Sequence, residues 1–116
     1  MTTCRWEILV PTEIRNEAGK FYRTRYHRVW DEKVRAISGG LTIMSPVKGH
    51  WKAPSGELFI ERMIPVRIVA TREQIEKIVD MTLDYYDQLA VLCIKVSEEV
   101  ILKHRTSAKI CEVSTK

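Results

Sequence analysis

The chain has 116 residues, a mass of 13.5 kDa, and 45% hydrophobic and 29% charged residues. A chain of this length can bury one core but not two, and its composition excludes an intrinsically disordered protein. No stretch approaches the roughly 18 apolar residues of a membrane span, and the first residues lack the apolar run of a signal peptide. We therefore expect a cytoplasmic protein with no membrane association.

The charge balance and the cysteines limit the kinds of ligand and site that we expect. A net charge of +4 permits weak attraction to phosphates but falls short of a dedicated nucleic-acid binder. Cys4, Cys93 and Cys111 are odd in number and far apart, which predicts neither a disulfide framework nor a zinc site. The sequence also has no phosphate-binding loop and no nucleotide fingerprint, so we expect no metal and no cofactor.

The first half of the chain predicts a strand, a loop and a helix. Residues 5–10 are β-branched and aromatic and end at a proline, which predicts a strand, and residues 11–22 carry turn signals. From Thr24 the apolar residues recur at helical spacing until Gly39 and Gly40 stop the pattern. This indicates a helix over residues 24–38, with His27 on its outer face.

Two extended stretches and a second helix follow. Residues 41–51 and 57–70 flank a turn at 53–56 and predict a hairpin in which the even positions from Leu58 to Ala70 form the core face. Pro65 predicts a bulge or an edge position. Thr71 and Gln74 fit a capping box, which predicts a helix over residues 72–87.

The end of the chain adds one further strand. Residues 91–96 predict a strand, in which Cys93 is a buried apolar residue. Residues 100–102 form a short continuation or a separate edge piece. The tail, residues 103–116, is polar, and its segment 110–113 could pair on an edge. We interpret residues 1–102 as a single domain.

This order of elements, β-α-β-β-α-β, predicts an α+β ferredoxin-like fold. Both helices then lie on one face of a four-stranded antiparallel sheet, and the other face is uncovered. A sheet face that carries Phe59 and Met63 beside Glu61 and Arg67 usually contacts something else. We expect association through this open face or an edge strand, most simply as a homodimer.

Several short motifs resemble a family of small uncharacterised bacterial proteins. The resemblance covers about residues 5–97, and Gly39 stands where the family has an acidic residue. It implies a fold more than an activity. The motifs are Gly40-Leu-Thr42, Gly49-His-Trp51, Pro54-Ser-Gly56, Glu61-Arg62, Tyr86-Asp-Gln88 and Ala90-Val-Leu92.

The candidate chemistry centres on the hairpin. Glu61 projects from the uncovered face, and the turn could bring it near His50 or Trp51. A carboxylate beside an aromatic ring and a histidine could act as a general base, which makes Glu61 and His50 candidate catalytic residues. Alternatively, Glu61 pairs with a cross-strand cation and Trp51 packs in a core or a dimer seam. The candidate ligand or interface residues are Trp51, Phe59, Met63, Arg67 and Gln88.

Three hypotheses on function remain open. The first is a binding or interaction module that receives a small molecule or a protein at its open sheet face. The second is a small dimeric α+β barrel enzyme in which Glu61 and His50 move a proton. The third, which the modest net charge disfavours, is a nucleic-acid or anion contact through the basic residues Arg23, Arg25, Arg28 and Arg35; these could equally form a solvated face.

Overall fold

The computed structural model of the chain describes residues 2–105. It contains two helices and five strands: β1 (Cys4–Pro11), α1 (Thr24–Ser38), β2 (Thr42–Ile43), β3 (Val47–Lys52), β4 (Leu58–Ala70), α2 (Arg72–Tyr85) and β5 (Cys93–Ser97). All strand pairs are antiparallel, and the order across the sheet is β2-β4-β1-β5, with β3 also paired to β4. The predicted ferredoxin-like α+β fold is confirmed.

The predicted second strand is split into β2 and β3, which pair with successive parts of one edge of β4. Pro65 explains the break. The Met44 N–H donates to the Pro65 carbonyl at 2.9 Å, so the Pro65 nitrogen also points toward this edge. Proline has no N–H, so Pro65 could not donate a hydrogen bond to a neighbouring strand at this point. The interruption of the strand at Ser45 and Pro46 therefore removes no hydrogen bond that Pro65 would otherwise have donated.

The core lies between the helices and one face of the sheet. Its buried side chains come from alternate positions of β1 and β4, from the inner faces of the helices and from the residue after α2: Trp6, Ile8, Val10, Trp30, Val34, Val66, Ile68, Ala70, Ile75, Ile78 and Tyr86. The Trp30 indole N–H donates to the buried Thr82 hydroxyl at 2.9 Å, and that hydroxyl donates to the Ile78 carbonyl at 2.6 Å. A polar link therefore joins the two helices inside an apolar core.

Several local predictions are correct. The capping box at the start of α2 is present, with Thr71 and Gln74 each bonding the other's backbone N–H. The helix α1 ends at Ser38 as predicted and is capped by Gly39, whose φ of 93° is the left-handed conformation that glycine adopts without strain.

Other predictions are wrong in detail. The helix α2 ends at Tyr85 rather than at residue 87, and residues 100–102 form no strand. The alternation along β4 predicts Leu58 and Ile60 in the core, yet they are 57% and 58% exposed, because the β3–β4 hairpin extends past the part of β4 that pairs with β1. The predicted edge segment 110–113 lies outside the described residues.

Candidate functional site

The sheet face opposite the helices, which we call the open face, carries a cross-strand ion pair at its centre. Glu7 and Arg67 are directly paired in the register of β1 and β4, and Arg67 Nε lies 3.0 Å from Glu7 Oε1. Their side chains are only 16% and 31% exposed, although no element of the described chain packs over them. Arg67, a candidate interface residue, is therefore held in a fixed position on this face.

Apolar side chains flank the ion pair. Val69 is two residues from Arg67 on the same strand, Ile94 is paired with Glu7 from β5, and Leu9 follows Glu7 by two positions. Val69 and Ile94 are 38% and 46% exposed. The open face therefore combines exposed apolar side chains with an ion pair that is itself largely buried.

The β3–β4 hairpin continues the open face beyond the body of the protein. Trp51 and Phe59 are paired across its two strands and stack with ring centroids 4.6 Å apart. Trp51 nevertheless remains 45% exposed. Glu61 and Met63 follow Phe59 at alternate positions, so they lie on the same face of the hairpin. The structure thus brings together four of the predicted site residues.

The structure does not bring His50 and Glu61 together within one chain. Glu61 is paired with Gly49, and His50 is paired with Ile60, so their side chains project from opposite faces of the hairpin. Trp51 lies diagonally across from Glu61 on the shared face. The catalytic roles of Glu61 and His50 stay a prediction, but a direct proton transfer between them would need a second copy of the chain.

Gly49 shapes the surface beside Glu61. A Cβ added at Gly49 would lie 2.6 Å from the Met63 Cε, so the Met63 side chain occupies the space that a larger residue would take. The carboxylate of Glu61 therefore borders an apolar patch made by Met63, Trp51 and Phe59. Such a patch can receive an apolar or aromatic group next to an acid.

The fifth predicted interface residue, Gln88, lies just after α2 and not on the hairpin. Its Nε2 donates to the Tyr86 carbonyl at 3.0 Å, just after the end of α2. The Tyr22 hydroxyl donates to the same carbonyl at 2.6 Å, and Tyr26 and Tyr85 each donate to the other's carbonyl. Gln88 therefore belongs to a group that caps the C-terminus of α2 and is separate from the open face.

His27 lies in this capping group, which corrects its predicted position on the solvated face of the helix. It is half-buried, and its Nδ1 lies 2.7 Å from the hydroxyl of the fully buried Tyr86. Burial lowers the pKa of His27, although nearby Asp31 opposes the shift. Burial also raises the pKa of Tyr86, so a neutral imidazole and a protonated hydroxyl share this hydrogen bond, and the tautomer of His27 sets which of them donates. No local pattern could have indicated this contact, because the two residues are 59 positions apart.

A shallow groove lies between α2 and β5, around Trp6. The Trp6 ring has the Arg72 guanidinium 6.0 Å from its centroid and the Lys95 ammonium 5.5 Å from it. Cys93 borders this groove and is half-buried, and burial raises the pKa of its thiol, which fits the apolar role expected for it.

The basic residues of the third hypothesis lie in and just before α1. Arg23, Arg25, Arg28 and Arg35 are all exposed. Within residues 2–105 no three His, Cys, Asp or Glu side chains come close enough together to hold a metal ion. No helix in the same range is long and apolar enough to cross a membrane.

The fold and its surface define a ferredoxin-like domain with one open sheet face and a projecting hairpin. No protein-family model matches the chain, and no curated protein sequence matches it. Solved structures do share the fold. The divalent cation tolerance protein CutA1 of Thermus thermophilus is 10% identical, with 86% of this chain and 88% of that chain covered and a TM-score of 0.58.

Two other solved structures show the same likeness. The periplasmic divalent cation tolerance protein CutA of Archaeoglobus fulgidus is 12% identical, with 99% of this chain and 97% of that chain covered and a TM-score of 0.54. A phage SAM lyase in complex with S-methyl-5′-thioadenosine is 12% identical, with 88% and 86% covered and a TM-score of 0.64. At these identities the likeness establishes the fold alone.

Proposed function

We propose that the protein is a small binding module that associates with further copies of itself through the open face, most simply as a two-fold homodimer. The observation that carries the proposal is that Val69 and Ile94 are exposed beside the ion pair of Glu7 and Arg67, on the sheet face opposite the helices. A second copy on this face would remove apolar area from water, and each Å² of that area contributes about 25 cal/mol before the costs of association.

The hairpin supports the same proposal. A two-stranded ribbon is at best marginally stable in water, yet this one extends past β1 with Trp51 exposed on the side that continues the open face. A second copy on the open face would lie next to this side of the ribbon and support it, whereas Leu58 and Ile60 project from the other side. The patch of Trp51, Phe59, Glu61 and Met63 would then lie beside the interface, where it can receive a small molecule or a segment of another protein.

The test is the solution mass at several protein concentrations, measured by sedimentation equilibrium. We expect a multiple of 13.5 kDa. The substitutions Val69→Asp and Ile94→Asp each place an unpaired charge in the interface and should give monomers that keep the circular dichroism spectrum of the wild type. The control is Phe21→Asp, which changes an exposed apolar side chain outside the open face. A monomeric wild type, or equal dissociation by the control, would contradict the proposal.

A second candidate function is enzymatic, and one specific observation favours it: Glu61 borders an apolar aromatic patch, and a structure with this fold is a SAM lyase bound to S-methyl-5′-thioadenosine. S-adenosylmethionine joins an adenosine to a sulfonium ion. The patch offers stacking surface for a base and a carboxylate for a cation. Forming S-methyl-5′-thioadenosine breaks the bond between sulfur and the γ-carbon of the amino-acid part, and the electron pair stays on sulfur. The same carbon forms a bond to an oxygen of the substrate's own carboxylate, so the second product is a lactone and no other reactant is needed.

This candidate is tested by incubating the protein with S-adenosylmethionine and detecting S-methyl-5′-thioadenosine by mass spectrometry. Activity lost in Glu61→Gln and kept in Glu57→Gln would support catalysis at the patch, because Glu57 is an exposed acid at the hairpin turn and lies outside it. No product above the buffer control, at a protein concentration where the oligomer is present, would reject the enzymatic candidate and leave the binding module in place.

A further inference from the structure

The outer surfaces of the two helices carry opposite charge. The exposed charged residues of α1 are four cations and one anion (Arg25, Arg28, Lys33, Arg35 and Glu32). Those of α2 are four anions and two cations (Glu73, Glu76, Asp80, Asp84, Arg72 and Lys77). Within residues 2–105 no basic residue of α1 takes part in an ion pair, and α2 has one, between Arg72 and Glu76.

The exposed charges form one row along each helix. Arg25, Arg28 and Arg35 are separated by three and seven residues, so they lie along one side of α1. The short side chains Val29 and Ala36 are exposed beside them. The acids of α2 are separated by three, four and four residues, which likewise forms a row. These rows point away from the sheet, because the opposite sides of both helices are buried.

The contacts between the helices fix how the two rows are aligned. At one end Tyr85 donates its hydroxyl to the Tyr26 carbonyl at 2.8 Å, and at the other Gln74 Nε2 donates to the Ile37 carbonyl at 3.0 Å. The helices are therefore antiparallel and side by side. Eleven residues separate the two contact points on each helix. Residues at equal distances from these contact points lie at the same height along the two helices. Arg28, two residues after Tyr26, is therefore within one residue of the height of Asp84.

The same count puts Arg35 level with Glu76. Consider a two-fold axis that is parallel to the helices and lies on the solvent side of the helical layer. Rotation about this axis places α1 of one copy over α2 of the other, and every residue keeps its height along the helices. Arg28 would then face Asp84 of the second copy, and Arg35 would face Glu76. Because the axis is two-fold, every one of these pairs forms twice. An axis across the helices would instead stack α1 on α1 and oppose like charges.

We propose that the helical layer is a second interface between copies of this chain, in which α1 of each copy lies over α2 of the other. It is distinct from the open face, because the helices cover the opposite side of the sheet. Both interfaces can therefore form at once, and repeated use of both would link assemblies into larger ones.

The charge pattern favours a second copy over a nucleic acid. A polyanion that followed the basic row of α1 would lie against the neighbouring acidic row of α2 and be repelled by it. A second copy presents an acid opposite the cations and a cation opposite the acids. Since exposed ion pairs contribute little individually and are screened by salt, the association is weak and strongly dependent on ionic strength.

The first measurement is sedimentation velocity at about 50 and about 500 mM NaCl, between which the range of electrostatic interactions shrinks about threefold. We expect species larger than the salt-resistant unit at low salt, and an association constant weaker by at least on the order of tenfold at high salt. A mass that does not change with salt would overturn the proposal, whatever the state of the open face. An open-face oligomer held by apolar contacts would persist in both buffers.

Charge reversal gives a sharper test. The variant Arg28→Glu/Arg35→Glu has two acidic helices, and the variant Glu76→Arg/Asp84→Arg has two basic helices, so neither should self-associate through this layer. An equal mixture of the two should associate at low salt, because each basic α2 then faces an acidic α1 and each acidic α2 faces a basic α1. Combining all four changes in one chain should restore self-association.

The matched control is Lys20→Glu/Lys103→Glu, which changes the net charge by the same amount as the first variant at exposed sites outside the helices. It should behave like the wild type. A mixture that stays dissociated, or a control that dissociates as the helix variants do, would refute the pairing of α1 with α2. Binding of heparin by α1 at low salt, in place of self-association, would refute it in favour of a polyanion.

Discussion

The buried link between the two helices leads to a stability prediction that can be worked out from the structure. The Thr82 side chain is fully buried, accepts a hydrogen bond from the Trp30 indole N–H and donates one to the Ile78 carbonyl. Replacing Thr82 with valine keeps the shape of the side chain and removes the hydroxyl. The Ile78 carbonyl retains its bond within the helix, but the Trp30 N–H has no other acceptor among the contacts of the core.

The expected cost follows from that orphaned donor. A buried polar group left without a partner costs about 1–3 kcal/mol, so we expect Thr82→Val to lower the free energy of unfolding by about 2 kcal/mol. For a chain of 116 residues that corresponds to a fall in Tm of about 8 °C. Thr82→Ser keeps both hydrogen bonds and removes one buried methyl group, which should cost about 1 kcal/mol.

The assay is urea denaturation followed by tryptophan fluorescence, at one fixed protein concentration because self-association adds to apparent stability. The midpoint should fall in the order wild type, Thr82→Ser, Thr82→Val, with an unchanged dependence on urea. If the valine variant is as stable as the wild type, the hydrogen bond from Trp30 contributes nothing, and the link between α1 and α2 is apolar packing alone.

Three further predictions concern the capping group and the end of α1. Burial lowers the pKa of His27 below 6.5, so near that pH the unfolded chain binds more protons than the folded chain. The free energy of unfolding should therefore fall as the pH drops from about 7 to 5.5. In urea denaturation, His27→Gln should reduce this fall of the midpoint. In the same assay, Gly39→Ala should lower the free energy of unfolding by about 1 kcal/mol, because φ at this position is 93°. Gly40→Ala is the control and should be near neutral. Both positions have open space for a Cβ, but only Gly39 has a positive φ. Tyr22→Phe should lower the free energy of unfolding by about 1 kcal/mol. In thermal unfolding, the double variant Tyr22→Phe/Gln88→Ala should lose more stability than the two single variants together, because the Tyr86 carbonyl then loses both of its side-chain donors.

Features set by neighbouring residues could be predicted from the sequence. The capping box of Thr71 and Gln74 and the glycine stop after residue 38 are local, because a few residues decide the conformation by themselves. The order of helices and strands then left few ways to bury the apolar faces, and this predicted the ferredoxin-like fold with its open face.

The candidate site could be predicted only in part. Alternation along β4 correctly placed Phe59, Glu61 and Met63 on one face. It could not place His50, because the face of a residue on the opposite strand depends on the register, and a shift of one residue reverses it. In the observed register His50 and Glu61 lie back to back.

The sequence by itself therefore determined the two helices, the order of elements and the alternation of apolar positions, because these depend on residues close together in the chain. It did not show that the predicted second strand divides into β2 and β3. The tertiary structure decided which alternating positions are covered. Leu58 and Ile60 continue the core pattern of β4, yet they lie in water because the hairpin extends beyond the body of the sheet. It also decided that His27 meets Tyr86 across 59 residues, since only the packing of α1 against α2 sets that distance.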